Sequence, residues 1–328
     1  NSKKLTLEAG KKYKLEFDYR NYHGDGTASL LWATPKPNML ADAIETAKKS
    51  DVVVLVLGLN QRLEGEEMPI QVDGFKGGDR THLNLPKTQE NLMEALKVTG
   101  KPIVLVLLNG SALSVNYAAE NMDAILSAGY PGQQGGNAVA DVLFGDYNPA
   151  GRLPVTYYKS VDQLPPFEDY NMEGRTYRYF RQIPLYPFGF GLSYTNFSYS
   201  DLTLPKEVKM GENVDLSVKV TNTGERDGDE VVELYITDEK ASTPRPIRQL
   251  EGFKRISLKK GESQIVSFSL EPRQLSMINN KDKQVVEPGF FTIVVGGKQP
   301  GFTGPADAET TGTIIGRIKV SGKTLEIK

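Results

Sequence analysis

Cysteine is absent from this chain of 328 residues, which excludes disulfides, thiolate nucleophiles and sulfur-ligated metals. That absence fits many compartments, including an oxidising one where stray thiols are a liability. Histidine is scarce: His23 and His82 are the only two, far apart in sequence, and a Ser-His-Asp site or a His-rich zinc site is not expected. Neither sign of charge is in excess, and a formal net charge of -2 provides no global attraction to nucleic acid or to an anionic membrane. No apolar run approaches the ~20 residues needed to span a bilayer; Ile103 to Leu108 suffices only for a buried strand. The N-terminus carries no Met, no basic n-region and no signal h-region. What is present is an ordinary globular composition, with room for two or three domains at about 100–200 residues each.

The stretch around which the chain is organised runs from Asp51 to Arg80. It opens with the unbroken apolar run Val52 to Leu57, the pattern of a parallel strand buried on both faces. The chemistry then changes abruptly: Glu64, Glu66 and Glu67 follow in a Gly-containing segment that reads as irregular. A segment at the carboxyl end of a strand is where α/β folds place their working groups. The alternative is a solvated surface loop, the usual fate of clustered charge.

Upstream, residues 4 to 34 read as two or three amphipathic strands. Leu5 and Leu7, then Tyr13, Leu15, Phe17 and Tyr19, alternate at period two, and a polar turn from Asn21 to Gly26 precedes Ala28, Leu30 and Trp32. So few strands cannot bury a core alone, so they should belong to a larger β unit or pair with strands downstream. The linker Thr34-Pro35-Lys36-Pro37 ends this section. From Met39 helix and strand alternate: a helix with Leu40, Ala43, Ile44 and Ala47 on one side and Asn38 at its cap, the first strand, and the acidic loop. A second helix over Leu92, Met93 and Leu96 leads to the strand Ile103 to Leu108, a helical stretch through Tyr117, a short strand Ala124 to Ala128, and a helix over Ala138 to Leu143. This order predicts a mostly parallel sheet with helices on both faces. The glycines of PGQQGG, Pro131 to Gly136, open a helix but match neither a P-loop nor a dinucleotide fingerprint, and no cofactor is expected. Ser111 sits in no GxSxG elbow. From Phe197 the pattern shifts to alternating strands, Val214–Val220, Val231–Ile236, Leu250–Leu258, Gln264–Leu270 and Phe290–Val295, which predict an antiparallel sandwich. The final segment, Gly312 to Lys328, reads as two more strands, pairing with the N-terminal ones or extending the sandwich.

The segment GYPGQQGGNAVADVLFGDYNPAGRLPVTYY, Gly129 to Tyr158, with GRTYRYF at Gly174 to Phe180 and PLYPFGFGLSYTNF at Pro184 to Phe197, closely resembles the C-terminal half of glycoside hydrolase family 3, the β-glucosidase and β-xylosidase family. The resemblance implies an α/β sandwich domain over residues 38–196, a fibronectin type III-like β-sandwich over 197–300 and C-terminal strands over 301–328. Residues 1–37 look like the closing strands of an inserted protective-antigen-like β-sandwich. It also implies a role as the C-terminal portion of an exo-acting retaining β-glycosidase acting on oligosaccharides, periplasmic or secreted, whose aspartate nucleophile lies in an N-terminal barrel. The chain alone is then expected to be inactive.

In that family a loop of the α/β domain supplies a glutamate acid/base, in a segment resembling GEGY or ExEG followed by DR. Here Gly65-Glu66-Glu67-Met68 and Gly78-Asp79-Arg80 form the matching stretch. Glu66 falls best on the acid/base position and Glu64 is the runner-up, because the loop here is about a residue longer than in some members of that family; the sequence also departs from the pattern in having Glu67 and Met68 where a glycine and an aromatic are frequent. Glu67 and Arg80 are the candidate substrate contacts, although Asp79 and Arg80 also suit a structural ion pair shaping the loop. An acid that holds its proton near neutral pH needs burial or a neighbouring negative charge, and clustered carboxylates should raise at least one proton affinity. Tyr170, Tyr177, Tyr179 and Phe180 could stack on sugar rings or serve as packing. The competing reading is a β-xylosidase, or a non-catalytic carbohydrate-binding or scaffolding module with a merely solvated acidic loop.

Overall fold

The computed structural model describes residues 6–8, 10–20, 22, 38–65 and 67–327. Helix α1 (Met39–Lys48) and strand β1 (Val53–Gly58) are followed by three two-residue strands, β2 (Gln71–Val72), β3 (Phe75–Lys76) and β4 (Asp79–Arg80). Next come α2 (Lys87–Lys97), β5 (Ile103–Leu108), α3 (Asn116–Asn121), β6 (Ala124–Ser127), α4 (Gly135–Phe144) and the short α5 (Thr176–Tyr179). Strands β1, β5 and β6 pair in parallel, in that order. Ala47 of α1, Met93 and Leu96 of α2 and Ala118 of α3 pack with Leu55, Leu105 and Leu107 into one core, which burying apolar surface at ~25 cal/mol per Å² stabilises.

Two sequence expectations change here. The run Val52–Leu57 is not buried on both faces: Leu55 faces the core, whereas Val54 and Val56, on the opposite face of the strand, are about half exposed. The segment after the acidic loop is not wholly irregular either, since β2, β3 and β4 form a small antiparallel meander. Two-residue strands are too short to show a period.

The second half is a β-sandwich. Its strands are β7 (Phe197–Thr203), β8 (Glu207–Lys209), β9 (Val214–Asn222), β10 (Gly228–Asp238), β11 (Gln249–Leu258), β12 (Ser263–Leu270), β13 (Met277–Ile278), β14 (Gln284–Val286), β15 (Gly289–Gly296), β16 (Thr313–Ser321) and β17 (Leu325–Glu326). A sheet ordered β11-β10-β15-β16-β8 faces one ordered β12-β9-β7. Along β9 the side chains of Val214, Leu216, Val218 and Val220 alternate inward to meet Val232, Leu234, Ile293 and Val295, as a sheet with one buried face requires. In the C-terminal segment β16 extends the sandwich by pairing antiparallel with β15, while β17 pairs with β14 in a separate small sheet ordered β13-β14-β17.

The N-terminal strands expected between residues 4 and 34 are not formed among the described residues; Tyr13, Leu15, Phe17 and Tyr19 are all exposed and lie in no strand. A period-two segment needs neighbours to take its backbone hydrogen bonds, and none is described beside it. His23 and Trp32 lie outside the described residues.

The two units are tied by a buried ion pair. Arg152 Nη2 donates to Glu230 Oε2 on β10 at 2.6 Å, with side-chain exposures of 7% and 0%, and Arg152 Nε donates to the Gly297 carbonyl at 2.8 Å.

Candidate active site

The carboxyl ends of the three parallel strands converge on one carboxylate. The amides of Gly110 and Ser111, just past β5, donate to the Glu64 oxygens at 3.2 and 3.1 Å. The Ser111 hydroxyl and, from beyond β6, the Tyr130 hydroxyl also donate to it. Arg80 approaches Glu64 at 3.9 Å and donates from Nη1 to Ser111 Oγ at 2.8 Å, so a cation stands behind the hydroxyl that holds the anion.

Backbone geometry delivers Glu64 there. At the end of β1, the Gln89 side chain of α2 bonds both the amide and the carbonyl of Gly58, at 2.9 and 2.8 Å, in place of a further strand. Gly58 has φ +143, and a Cβ there would lie 1.9 Å from the Leu108 oxygen, so only glycine lets β1 close on β5 at this point. The chain then turns through Asn60, whose carbonyl accepts from the amides of Leu63 and Glu64 at 2.9 and 3.1 Å. Downstream, the amide of Met68 donates to the Gly77 carbonyl at 3.1 Å, laying the loop along the β3–β4 turn.

Burial raises the proton affinity of Glu64, but the hydrogen bonds from Ser111, Tyr130 and Gly110 together outweigh it, and its pKa falls below the ordinary carboxyl value. Clustering with other glutamates therefore does not make Glu64 a proton-holding acid. Burial, reinforced by the Glu64 carboxylate, raises the pKa of Tyr130, keeping its hydroxyl a donor.

Glu67 is exposed and has φ +50, in the left-handed region that glycine adopts readily. Glu66 lies outside the described residues. Arg80 is turned inward: it donates to the carbonyls of His82 and Asn84 at 3.1 and 3.2 Å and lies over the Phe75 ring at 4.9 Å. Its ionic partner is Glu64, not Asp79, which is exposed on β4. Sequence reasoning missed Ser111 and Tyr130 as partners of the loop; the available signal was their position just past the ends of two apolar runs. Beside them Asn109, 5% exposed, donates to the Ser111 carbonyl and to Tyr157 Oη, while its own Oδ1 is buried without a partner.

Of the aromatics, Tyr177 stacks on Phe188 at 4.2 Å and Phe180 packs edge-on to Tyr158 at 5.0 Å, so both are packing residues. Tyr170 is exposed. Among the described residues no cluster of His, Asp or Glu is spaced to hold a metal, and no helix is long and apolar enough to cross a membrane.

A model of the glycosyl hydrolase family 3 C-terminal domain matches residues 5–194, and a fibronectin type III-like domain model matches residues 230–299. The chain is 40% identical to a xylan 1,4-beta-xylosidase of Xylanibacter ruminicola over 89% of its length, covering 34% of that protein. It is 43% identical to a periplasmic beta-glucosidase of Salmonella typhimurium over 79% of its length, again covering 34% of the relative. Among solved structures, a β-glucosidase from Erythrobacter marinus superimposes with a TM-score of 0.74 at 40% identity, over 86% of this chain and 36% of that one. A β-glucosidase from Listeria innocua, solved with laminaribiose, superimposes with a TM-score of 0.72 at 28% identity, over 90% and 40%. The chain thus spans about a third of the length of the curated relatives it matches.

Proposed function

Since this chain belongs to glycosyl hydrolase family 3, matched through the C-terminal domain, we propose that it supplies the acid/base loop of an exo-acting retaining β-glycosidase, a β-glucosidase in the first instance. In this reading Glu66 is the proton donor and Glu64 the anchor that holds the loop in place. Residues 38–196 then form the α/β sandwich domain, 197–300 the fibronectin type III-like domain and 301–328 its terminal strands, with 1–37 closing an inserted β unit. The observation that carries the reading is the pinning of the acidic loop by Glu64 at the carboxyl ends of β1, β5 and β6, where open α/β sheets bind ligands.

A retaining glycosidase needs two carboxyl groups about 5–5.5 Å apart, one attacking the anomeric carbon and one protonating the leaving oxygen. Glu64, held ionised by its donors, suits neither of those tasks as well as it suits anchoring. In this reading an acid farther along the same loop is closed over by a second lobe, and expulsion of water from such a cleft raises its proton affinity. That lobe, an N-terminal barrel bearing an aspartate nucleophile, belongs to the longer polypeptide implied by the length of the relatives. Arg80 acts here as the brace behind Ser111 rather than as a sugar ligand. The Salmonella relative, named periplasmic, supports a periplasmic or secreted setting. A β-xylosidase is the second reading, favoured by relatives bearing that name.

The test is made in the complete polypeptide. Glu66→Gln should lower hydrolysis of glycosides with poor leaving groups by about 10²–10⁴-fold, spare glycosyl transfer from activated aryl glycosides, and respond to azide with restored turnover. Purified alone, the 328-residue chain should not turn over aryl β-glucosides. Full catalysis in Glu66→Gln, Glu64→Gln and Glu67→Gln alike would leave a binding or scaffolding module.

A further inference from the structure

Away from the acidic loop, a cavity of about 470 Å³ lies between α5 and the sandwich, within the roughly 300–1,000 Å³ range of small-molecule sites. Three guanidinium groups line it, those of Arg178, Arg245 and Arg273, and Glu251 is the only carboxylate in its wall. Arg245 is already balanced, donating to Asp238 Oδ2 at 3.2 Å and to the Leu275 carbonyl at 3.2 Å. Arg178 is not: Nη2 donates to Gln249 Oε1 at 2.6 Å, but its buried Nε has no acceptor. Arg273 is exposed and makes no ion pair among the described residues. Burial lowers the pKa of Arg245, and the like charge of Arg178 acts in the same direction, so the two cations are close enough to repel.

Arg178 and Arg273, two guanidinium groups lining one cavity with no ion-pair partner among the described residues, favour an anion in that space. Counting Asp238 and Glu251 against the three arginines leaves a single positive charge, which one monoanion balances. A dianion would crowd Glu251. The remaining wall is mixed in a way that an isolated oxyanion does not need. The Tyr179 ring and the rings of Pro244 and Pro246 give apolar faces, and one Glu251 oxygen accepts from Gln249 while the other has no donor among the described residues. Apolar faces, a free acceptor and a guanidinium fork together match a pyranose that carries a carboxylate.

We propose that this cavity binds a uronate sugar, its carboxylate held by Arg178 and Arg273, a hydroxyl donated to Glu251 and a ring face laid on Tyr179. The site is independent of the acidic loop, and its failure would leave the glycosidase reading intact.

Sodium D-glucuronate titrated into the 328-residue chain at low ionic strength, followed by calorimetry and by amide chemical shifts, tests the idea. Saturable binding is expected, with D-glucose and sodium acetate each at least about tenfold weaker. Arg273→Ala, a change at an exposed side chain, should weaken glucuronate about tenfold, and Arg178→Gln should abolish it; if Arg178→Gln fails to fold, Arg273→Ala decides alone. Glucose, acetate or inorganic phosphate binding as well as glucuronate would overturn the proposal. So would the absence of binding, or an unchanged affinity in Arg273→Ala.

Discussion

Glu64 receives two backbone amides and two hydroxyls, donors that hold it ionised and in place. Hydrogen bonds to an ionised group contribute more than neutral ones, so Glu64→Gln should cost about 1–2 kcal/mol at pH 7 after allowance for partial exposure to solvent. The sign of the pH dependence follows from the lowered pKa. The stabilisation is complete above the ordinary value of 4.5 and is lost as pH falls through the folded-state pKa. Urea midpoints of wild type and Glu64→Gln should therefore differ at pH 7 and converge as pH falls through the lowered folded-state pKa of Glu64; equal midpoints at pH 7 would remove the anchor. The acidic loop itself was legible, because an apolar run gives way at once to glutamates. Which glutamate is pinned was not legible, since Ser111 and Tyr130 lie 47 and 66 positions along the chain and no local pattern connects them.

At the scale of elements, the loop owes its shape to the meander that follows it. Gly78 has φ +93, and a Cβ there would sit 1.7 Å from the Gly65 carbonyl oxygen, so hairpin and loop meet backbone to backbone. Gly78→Ala must both strain φ and push the loop away, and a cost of at least 1–3 kcal/mol is expected at roughly the level of other strained backbone sites. Glu67→Gly offers the opposite case, because glycine at φ +50 relieves up to about 1 kcal/mol of left-handed strain. Thermal denaturation should rank Glu67→Gly at or above wild type and Gly78→Ala well below it; the reverse order would mean that the loop is not held by this contact. The long elements were readable from periodicity, since α2 and the sandwich strands carry their apolar stripes openly. The meander was not, because its pairing depends on glycines that also read as a loop. The open face of β1 was misread for a related reason: an apolar run shows that a strand is suited to burial, not that its neighbours are present.

At the scale of the molecule, Arg152, Glu230 and Glu233 are buried where the α/β unit meets the sandwich. Arg152 is committed to Glu230 at 2.6 Å. Glu233, 3% exposed, has the Tyr235 hydroxyl at 2.7 Å and the backbone of Gly189 against it. With no ion-pair partner among the described residues, it is dominated by burial, which lifts its pKa to about 7, while Tyr235 and Arg152 pull the other way and Glu230 adds to the rise. A carboxyl whose folded-state pKa is raised stabilises the fold fully below its unfolded value near 4.5 and loses that contribution as pH climbs through 7. For a nearly buried group the loss approaches about 3 kcal/mol. Glutamine keeps an acceptor for Tyr235 and never ionises, so Glu233→Gln should flatten the stability profile between pH 5 and 8 and exceed wild type at pH 8. Denaturant midpoints collected across that range decide it: parallel profiles would mean that Glu233 is compensated by Arg152 after all, and that the interface holds two ionised carboxylates on one guanidinium.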